Sequence, residues 1–251
     1  MKFRYNLLSL LSIIIFILLW ELASEAQVLP AVLPKPIDVA YSIHRLMDKI
    51  PIYTYHSISH FIAGFTIALI VAIPAGALSG WYYSVRAFVK PIVEIIRPIP
   101  PIAWIPFVLI SFRSDFEASA IIIFIGSFFP IFTNTFLGFS NVPLEYVEIA
   151  KTLGAGDLDI LIKVALPSSL PSILSGIRTG VGVGWMCVVA AEMFGPPGLG
   201  LQIMNMRYLH DISAVTAYML VIGVIGFTLE RIVRIVEIKT LKWQKGFVRQ
   251  V

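Results

Sequence analysis

An all-α polytopic membrane protein is the fold class this sequence predicts, and three observations predict it. Hydrophobic residues make up 58% of the 251 residues and charged residues only 14%, where a soluble domain carries about 25% charged. Mean hydropathy is +0.87. Apolar runs of about 20 residues recur along the chain, each long enough to cross a hydrocarbon core about 30 Å thick. The net charge of +4 gathers near the ends of these runs, where it orients a membrane protein, and gives no reason to expect nucleic acid as a partner. A single cysteine, Cys187, excludes an intramolecular disulfide.

Six spans are expected within one domain, residues 1–251. The first covers about 5–23. Ser24-Glu25-Ala26 loosely resembles a signal cleavage site, but the apolar run is long enough to stay as an uncleaved span. A Pro-rich loop follows, and apolar positions over Ile37 to Ile50 suit a short amphipathic helix at the interface. The second span, about 58–82, carries Gly64, Gly76 and Gly80 at multiples of four, a stripe for close helix packing. The third, about 91–112, holds Pro98, Pro100, Pro101 and Pro106. Such prolines predict a broken helix whose freed carbonyls face protein or a water-filled cavity, or a short interfacial helix leading into the span. Spans four, five and six are expected at about 118–139, 172–194 and 212–236.

Lysine and arginine decide the orientation. With the N-terminus inside, the inner side receives Lys2, Arg4, Arg86, Lys90, Arg231, Arg234, Lys239, Lys242, Lys245 and Arg249. The outer side receives Lys35, Arg45, Lys49, Arg113 and Arg207. The bias predicts cytoplasmic termini and a cytoplasmic location for the polar insert 140–171.

That insert is the most informative stretch. Pro143 to Leu153 reads as a short helix with Glu145 and Glu148 near its positive end. Gly154 permits a left-handed cap. Asp157 or Asp159 can cap a second helix, Leu158 to Leu166, which Pro167 is expected to break. Leu153, Leu158, Leu161, Ile162 and Val164 would give this helix pair an apolar surface. The result is a knob able to fill a groove in a soluble partner.

The insert's spacing is Glu-x-Ala, three residues, Gly, nine residues, an aliphatic residue, one residue, Leu-Pro. Glu148, Ala150, Gly154, Val164, Leu166 and Pro167 occupy those positions. This pattern resembles the signature loop of inner-membrane permeases of binding-protein-dependent ABC importers. Ile149 and Val164 depart mildly from the family's usual alanine and isoleucine. The segment Arg97 to Pro106, and Ala190 to Gly195 with Gly198-Leu199-Gly200, are similar to the nitrate, sulfonate, taurine and bicarbonate branch. The resemblance covers about residues 55–240.

It implies a type I ABC importer permease fold in the cytoplasmic membrane, working by alternating access. Glu148, Ala150, Gly154, Ala155, Leu166 and Pro167 would then contact an ATP-binding cassette ATPase subunit. An extracytoplasmic solute-binding protein would deliver a small solute such as sulfonate, nitrate or bicarbonate, and a second permease copy would complete a homodimer. The chain has no G-x-x-x-x-G-K-[ST] phosphate loop. ATP and magnesium are thus expected on the partner, with no cofactor here.

Four residues are candidates for the substrate path: Arg97, Arg178, Trp185 and Glu192. Charges inside a bilayer are costly and often functional. For the arginines, an inward-snorkelling anchor, or a partner for Glu94 or the insert's carboxylates, is favoured over an anion path or gate. Glu192 falls near the outer face, and a structural hydrogen bond to the Gly-rich loop after it competes with a gating role. An acid would repel anions, which argues against a direct ligand. His56 and His60 have helical metal-pair spacing, but no third ligand lies nearby in sequence. No nucleophile–base constellation supports an intramembrane enzyme. A self-contained secondary transporter or channel is the rival reading; it would need more intramembrane carboxylates and leaves the insert without a role.

Overall fold

The computed structural model describes residues 2–26 and 33–242; Lys245 and Arg249, counted above toward the charge bias, lie outside them. The described residues form helices and no strand. α1 (Lys2–Glu25) leads to the Pro-rich loop, where the Trp20 indole N–H donates to the Pro34 carbonyl at 2.9 Å. α2 (Pro36–Arg45) is shorter than the expected 37–50. Pro36 stands in its first turn, where a missing amide costs nothing. Val39, Ser42 and Leu46 are buried while Ile37 and Tyr41 face outward, so this short helix is amphipathic as its spacing predicts.

Among the described residues, four helical runs are long and apolar enough to cross a membrane: Ile50–Trp81, Asp115–Ser140, Asp157–Glu192 and Ile212–Thr240. The first, α3 (Ile50–Trp81), begins well before the expected residue 58. The third expected span differs most. Instead of one helix over 91–112 there are two, α4 (Tyr83–Ile96) and α5 (Ile105–Ser111), joined through a 3-10 turn at Pro101–Trp104 and bent by 85°. Pro98, Pro100 and Pro101 together remove three amide donors within four residues, so no α-helix can run through. Counted as one broken span, the pair brings the total to five.

α6 (Asp115–Ser140) sits at the centre, pressed by α3 on one side and α9 (Leu166–Glu192) on the other. Small residues set both distances. Gly64, Ala68, Ala72, Gly76 and Gly80 make a buried stripe along α3. A Cβ on Gly76 would lie 2.8 Å from the Phe132 carbonyl oxygen and 2.9 Å from Thr135 Cβ. On α9, a Cβ on Gly176 would lie 2.8 Å from Asn134 Cβ. The helices therefore meet backbone to backbone, as small-residue packing in lipid requires. Gly76→Val is expected to cost about 1–3 kcal/mol or more by overpacking, read as a lower thermal midpoint in detergent. Gly223, with nothing within 4 Å of an added Cβ, is the control: Gly223→Ala should leave the midpoint unchanged or raise it.

α7 (Leu144–Thr152) and α8 (Asp157–Ile160) form the insert. Here two expectations are corrected. The cap of α8 is Gly156 with no side-chain hydrogen bond; Asp157 and Asp159 sit in the first turn instead, where their charge complements the helix dipole. Pro167 does not end a helix. The chain widens into a π turn at Leu161–Ala165 and continues into α9, so Asp157–Glu192 is one 36-residue run. A π turn changes the hydrogen-bond spacing just where the proline ring would clash with the carbonyl four residues back. Two helices complete the fold: α10 (Leu199–Tyr208) and α11 (Ile212–Thr240). α3 and α11 run toward the insert and α9 runs away from it, giving the bundle an insert end and a far end.

Candidate functional site

The first candidate is the knob at the insert end. α7 closes with a Schellman motif. The Gly154 amide donates to the Lys151 carbonyl at 2.9 Å, and the Ala155 amide donates to the Ala150 carbonyl at 3.0 Å. Gly154 sits at φ +83°, in the left-handed region open to glycine. An added Cβ there would meet nothing within 4 Å, so conformation, not crowding, demands the glycine. This explains the spacing of Ala150, Gly154 and Ala155: they are the acceptor, the left-handed residue and the closing donor of one turn.

The knob faces two ways. Ile160 and Ala165 are buried, and Ala165 packs with Phe139 and Ile173 of the bundle. Leu161 and Val164, expected on the exposed surface, are half-buried on this anchoring side. Leu144, Ile149, Leu153, Leu158 and Ile162 point away from it, with Leu153 82% exposed. Glu148 is exposed on the same surface, Ala150 half-buried, and Leu166 and Pro167 lie partly exposed at the base. A concentrated apolar surface ringed by charge marks a site of protein contact.

The second candidate is a cavity of about 310 Å³ lined by Arg97, Thr133, Asn134, Thr179, Pro130 and Gly126 among others. The proline break puts Arg97 at the end of α4, on the cavity wall. Its guanidinium has no hydrogen bond or ion pair among the described residues; Glu94, a possible partner, pairs with Lys90 at 3.6 Å. Pro130 lies inside α6 and frees the carbonyl of Gly126, four residues back. Both residues belong to the cavity wall, where a freed carbonyl at membrane depth can be tolerated. Thr133, Asn134 and Thr179 were not singled out from sequence. The signal was present as a proline and two polar residues close together inside an apolar run.

The other three path candidates stand elsewhere. Arg178 pairs with Glu237 of α11 at 3.5 Å, rather than with Glu94 or the insert's carboxylates. Trp185 is buried; its indole N–H donates to the Ile222 carbonyl at 3.0 Å and its ring packs on Gly226, joining α9 to α11.

Glu192 is fully buried at the far end and accepts three hydrogen bonds or ion-pair contacts. These come from Ser57 Oγ at 2.8 Å, His60 Nδ1 at 2.9 Å and the Gly200 amide at 3.0 Å. Ser57 Oγ in turn accepts from the Leu199 amide at 3.0 Å. The carboxylate thus ties α3, α9 and the start of α10 together. Gly198 stands so close to it that any side chain there would overlap the Glu192 carboxyl. The Gly200 contact matches one of the two roles weighed for Glu192 in the sequence, the hydrogen bond to the Gly-rich loop; Ser57 and His60, about 130 residues away, figured in neither. Nearby, Arg45 pairs with Asp211, which also caps α11 through the Ala214 amide. Burial pushes the Asp211 carboxyl up, but that amide and the guanidinium outweigh it and hold it below its ordinary value.

An all-helical membrane bundle with a polar cavity and a projecting knob has the make-up of a transport permease. Residues 64–242 match the family model described as the inner membrane component of binding-protein-dependent transport systems. The chain is 42% identical over 241 residues to an ABC transporter permease of Methanocaldococcus jannaschii, covering 91% of this chain and 89% of that one. It is 30% identical to a permease of Bacillus subtilis named for aliphatic sulfonate transport, covering 93% and 86%. A bicarbonate transport system permease of Synechococcus elongatus is also 30% identical, covering 90% and 86%. Among solved structures, the inward-facing MetNI methionine ABC transporter shares the fold, with a TM-score of 0.68 at 17% identity over 78% of this chain and 98% of that chain. The chain belongs to the binding-protein-dependent inner membrane permease family, in the nitrate, sulfonate and bicarbonate branch.

Proposed function

We propose that the chain is the permease subunit of an ATP-driven importer and forms the translocation path for a small anion by alternating access. α1 is the first of six spans in this reading, and the bent pair α4–α5 is the third. Both termini and the knob lie in the cytoplasm. Two copies form the path, and an ATP-binding cassette subunit docks on each knob through Glu148, Ile149 and Leu153. ATP and magnesium bind there, not on this chain, and an extracytoplasmic binding protein delivers the solute. The observation that carries the reading is the Schellman-closed knob, whose apolar surface is turned away from its own bundle. A self-contained carrier leaves that surface without an occupant.

The anion follows from Arg97, a guanidinium without a counter-charge on the wall of the 310 Å³ cavity, beside Thr133, Asn134 and Thr179. Relatives named for sulfonate and bicarbonate transport agree with that chemistry. Co-expression of the chain with its genomically adjacent ATPase, followed by affinity purification and uptake into proteoliposomes, tests the assignment. Retention of the ATPase and strictly ATP-dependent uptake are expected. Uptake that continues without ATP, with no ATPase retained, would overturn it. In the same assay Arg97→Gln is expected to lower anion uptake about tenfold or more, the worth of one charge-assisted hydrogen bond. Unchanged uptake would remove Arg97 from the path.

A further inference from the structure

A second basic pocket lies away from the cavity of Arg97. Phe227, Glu230, Arg231 and Arg234 recur at helical spacing along one face of α11, and Arg178 of α9 faces them. Together they line a cavity of about 200 Å³. Glu237 answers Arg178 at 3.5 Å. Glu230 stands deeper, beside Gly182 of α9. Arg231 and Arg234 have neither a hydrogen bond nor an ion pair among the described residues. The lining's three arginines and one glutamate carry a formal charge of +2, or +1 once Glu237, the partner of Arg178 outside the lining, is counted, with Lys239 and Lys242 following on the same chain.

Depth gives the pocket its setting. Arg231 is 19 residues beyond Ile212, about 28 Å along the helix axis. A hydrocarbon core is about 30 Å thick, so Arg231 and Arg234 reach the head-group level at the insert end. Phe227, one turn deeper and 70% exposed, forms an apolar floor toward the hydrocarbon. At that boundary an arginine meets phosphate oxygens, and its planar fork of donors matches an oxyanion in a bidentate way.

We infer that Arg178, Arg231 and Arg234 form a binding site for a phosphate-type oxyanion between α9 and α11 at the insert end. A phospholipid head group and a soluble anion share this chemistry. The site stands whether or not the importer reading holds, because it rests on charge and depth alone.

The test measures the thermal midpoint of purified, monodisperse protein in detergent. One arm titrates phosphatidylglycerol against phosphatidylcholine in mixed micelles. The other titrates inorganic phosphate against chloride at equal ionic strength. A saturable rise is expected in at least one arm for the wild type. It should need about tenfold or more ligand, or vanish, in the double variant Arg231→Gln/Arg234→Gln. Lys90→Gln, outside the pocket, should respond as the wild type does. The charge-keeping pair Arg231→Lys/Arg234→Lys should bind more weakly, since it lacks the fork. A response to phosphatidylglycerol alone assigns the bilayer as source; a response to phosphate shows that a free anion suffices. Equal responses from wild type and both double variants, or none from the wild type in either arm, would overturn the site.

Discussion

Gly154→Val is expected to abolish ATP-driven uptake while leaving the bundle folded. The glycine sits at φ +83° and its Cβ direction is open. Valine therefore meets no neighbour but is forced into a left-handed conformation that a β-branched residue rarely adopts. The strain is on the order of 1–3 kcal/mol. The chain escapes it by opening the turn, which breaks the Ala155-to-Ala150 and Gly154-to-Lys151 hydrogen bonds and swings α7 away from α8. The surface of Ile149, Leu153 and Leu158 is then no longer presented as one piece. The ATPase in the complex should still hydrolyse ATP, while uptake into proteoliposomes falls to background. Gly154→Asn supplies the contrast, since asparagine tolerates the left-handed region, and should keep most uptake. If valine and asparagine variants transport equally well, the backbone of this turn has no part in coupling.

Glu192→Ala is the second large effect, and it acts on stability. Removing the carboxylate leaves Ser57 Oγ, the His60 ring and the Gly200 amide buried without their acceptor. Breaking a buried pair by deleting one partner typically costs about 3–5 kcal/mol. The thermal midpoint in detergent should drop by about 10 °C, at the 2–4 °C per kcal/mol usual for chains of this size. Amide exchange should quicken first at Leu199 and Gly200, whose N–H groups the network holds. Glu192→Gln, which keeps an acceptor oxygen, should lose less. A midpoint unchanged by Glu192→Ala would mean the network is incidental to the fold.

The two sites were legible to different degrees, for physical reasons. The knob is local: Ala150, Gly154 and Ala155 make one turn, so their spacing in sequence is also their geometry. The glycine stripe of α3 was legible because helical period alone sets which residues share a face. The break within 91–112 was legible in its prolines, but they fit a broken span and an interfacial helix leading into one equally well, and they did not fix where α4 and α5 begin and end. Pro167 misled because a proline reads as a helix breaker, whereas a π turn offers a second solution that no single residue announces. Glu192 lies at the end of its helix away from the knob, yet its partners Ser57 and His60 come from another helix. Nothing local encodes which distant hydroxyl or imidazole a buried carboxylate will meet. Arg178 likewise found Glu237 through the packing of α9 on α11.

The helix that leaves the knob at Asp157 does not stop until Glu192, 36 residues later, a rod about 54 Å long at 1.5 Å per residue. One end carries the exposed leucines, and the other is bolted to α3 and α10 by a carboxylate. Its two irregularities, the π turn at Leu161–Ala165 and Pro171 inside α9, both lie toward the knob, so the shaft beyond them is regular helix. A tilt applied at one face of the membrane must then reappear at the opposite face, reversed and without slack. If an ATPase drives the knob as proposed, altering the π turn or Pro171 is the way to change how much torque leaks away along the rod.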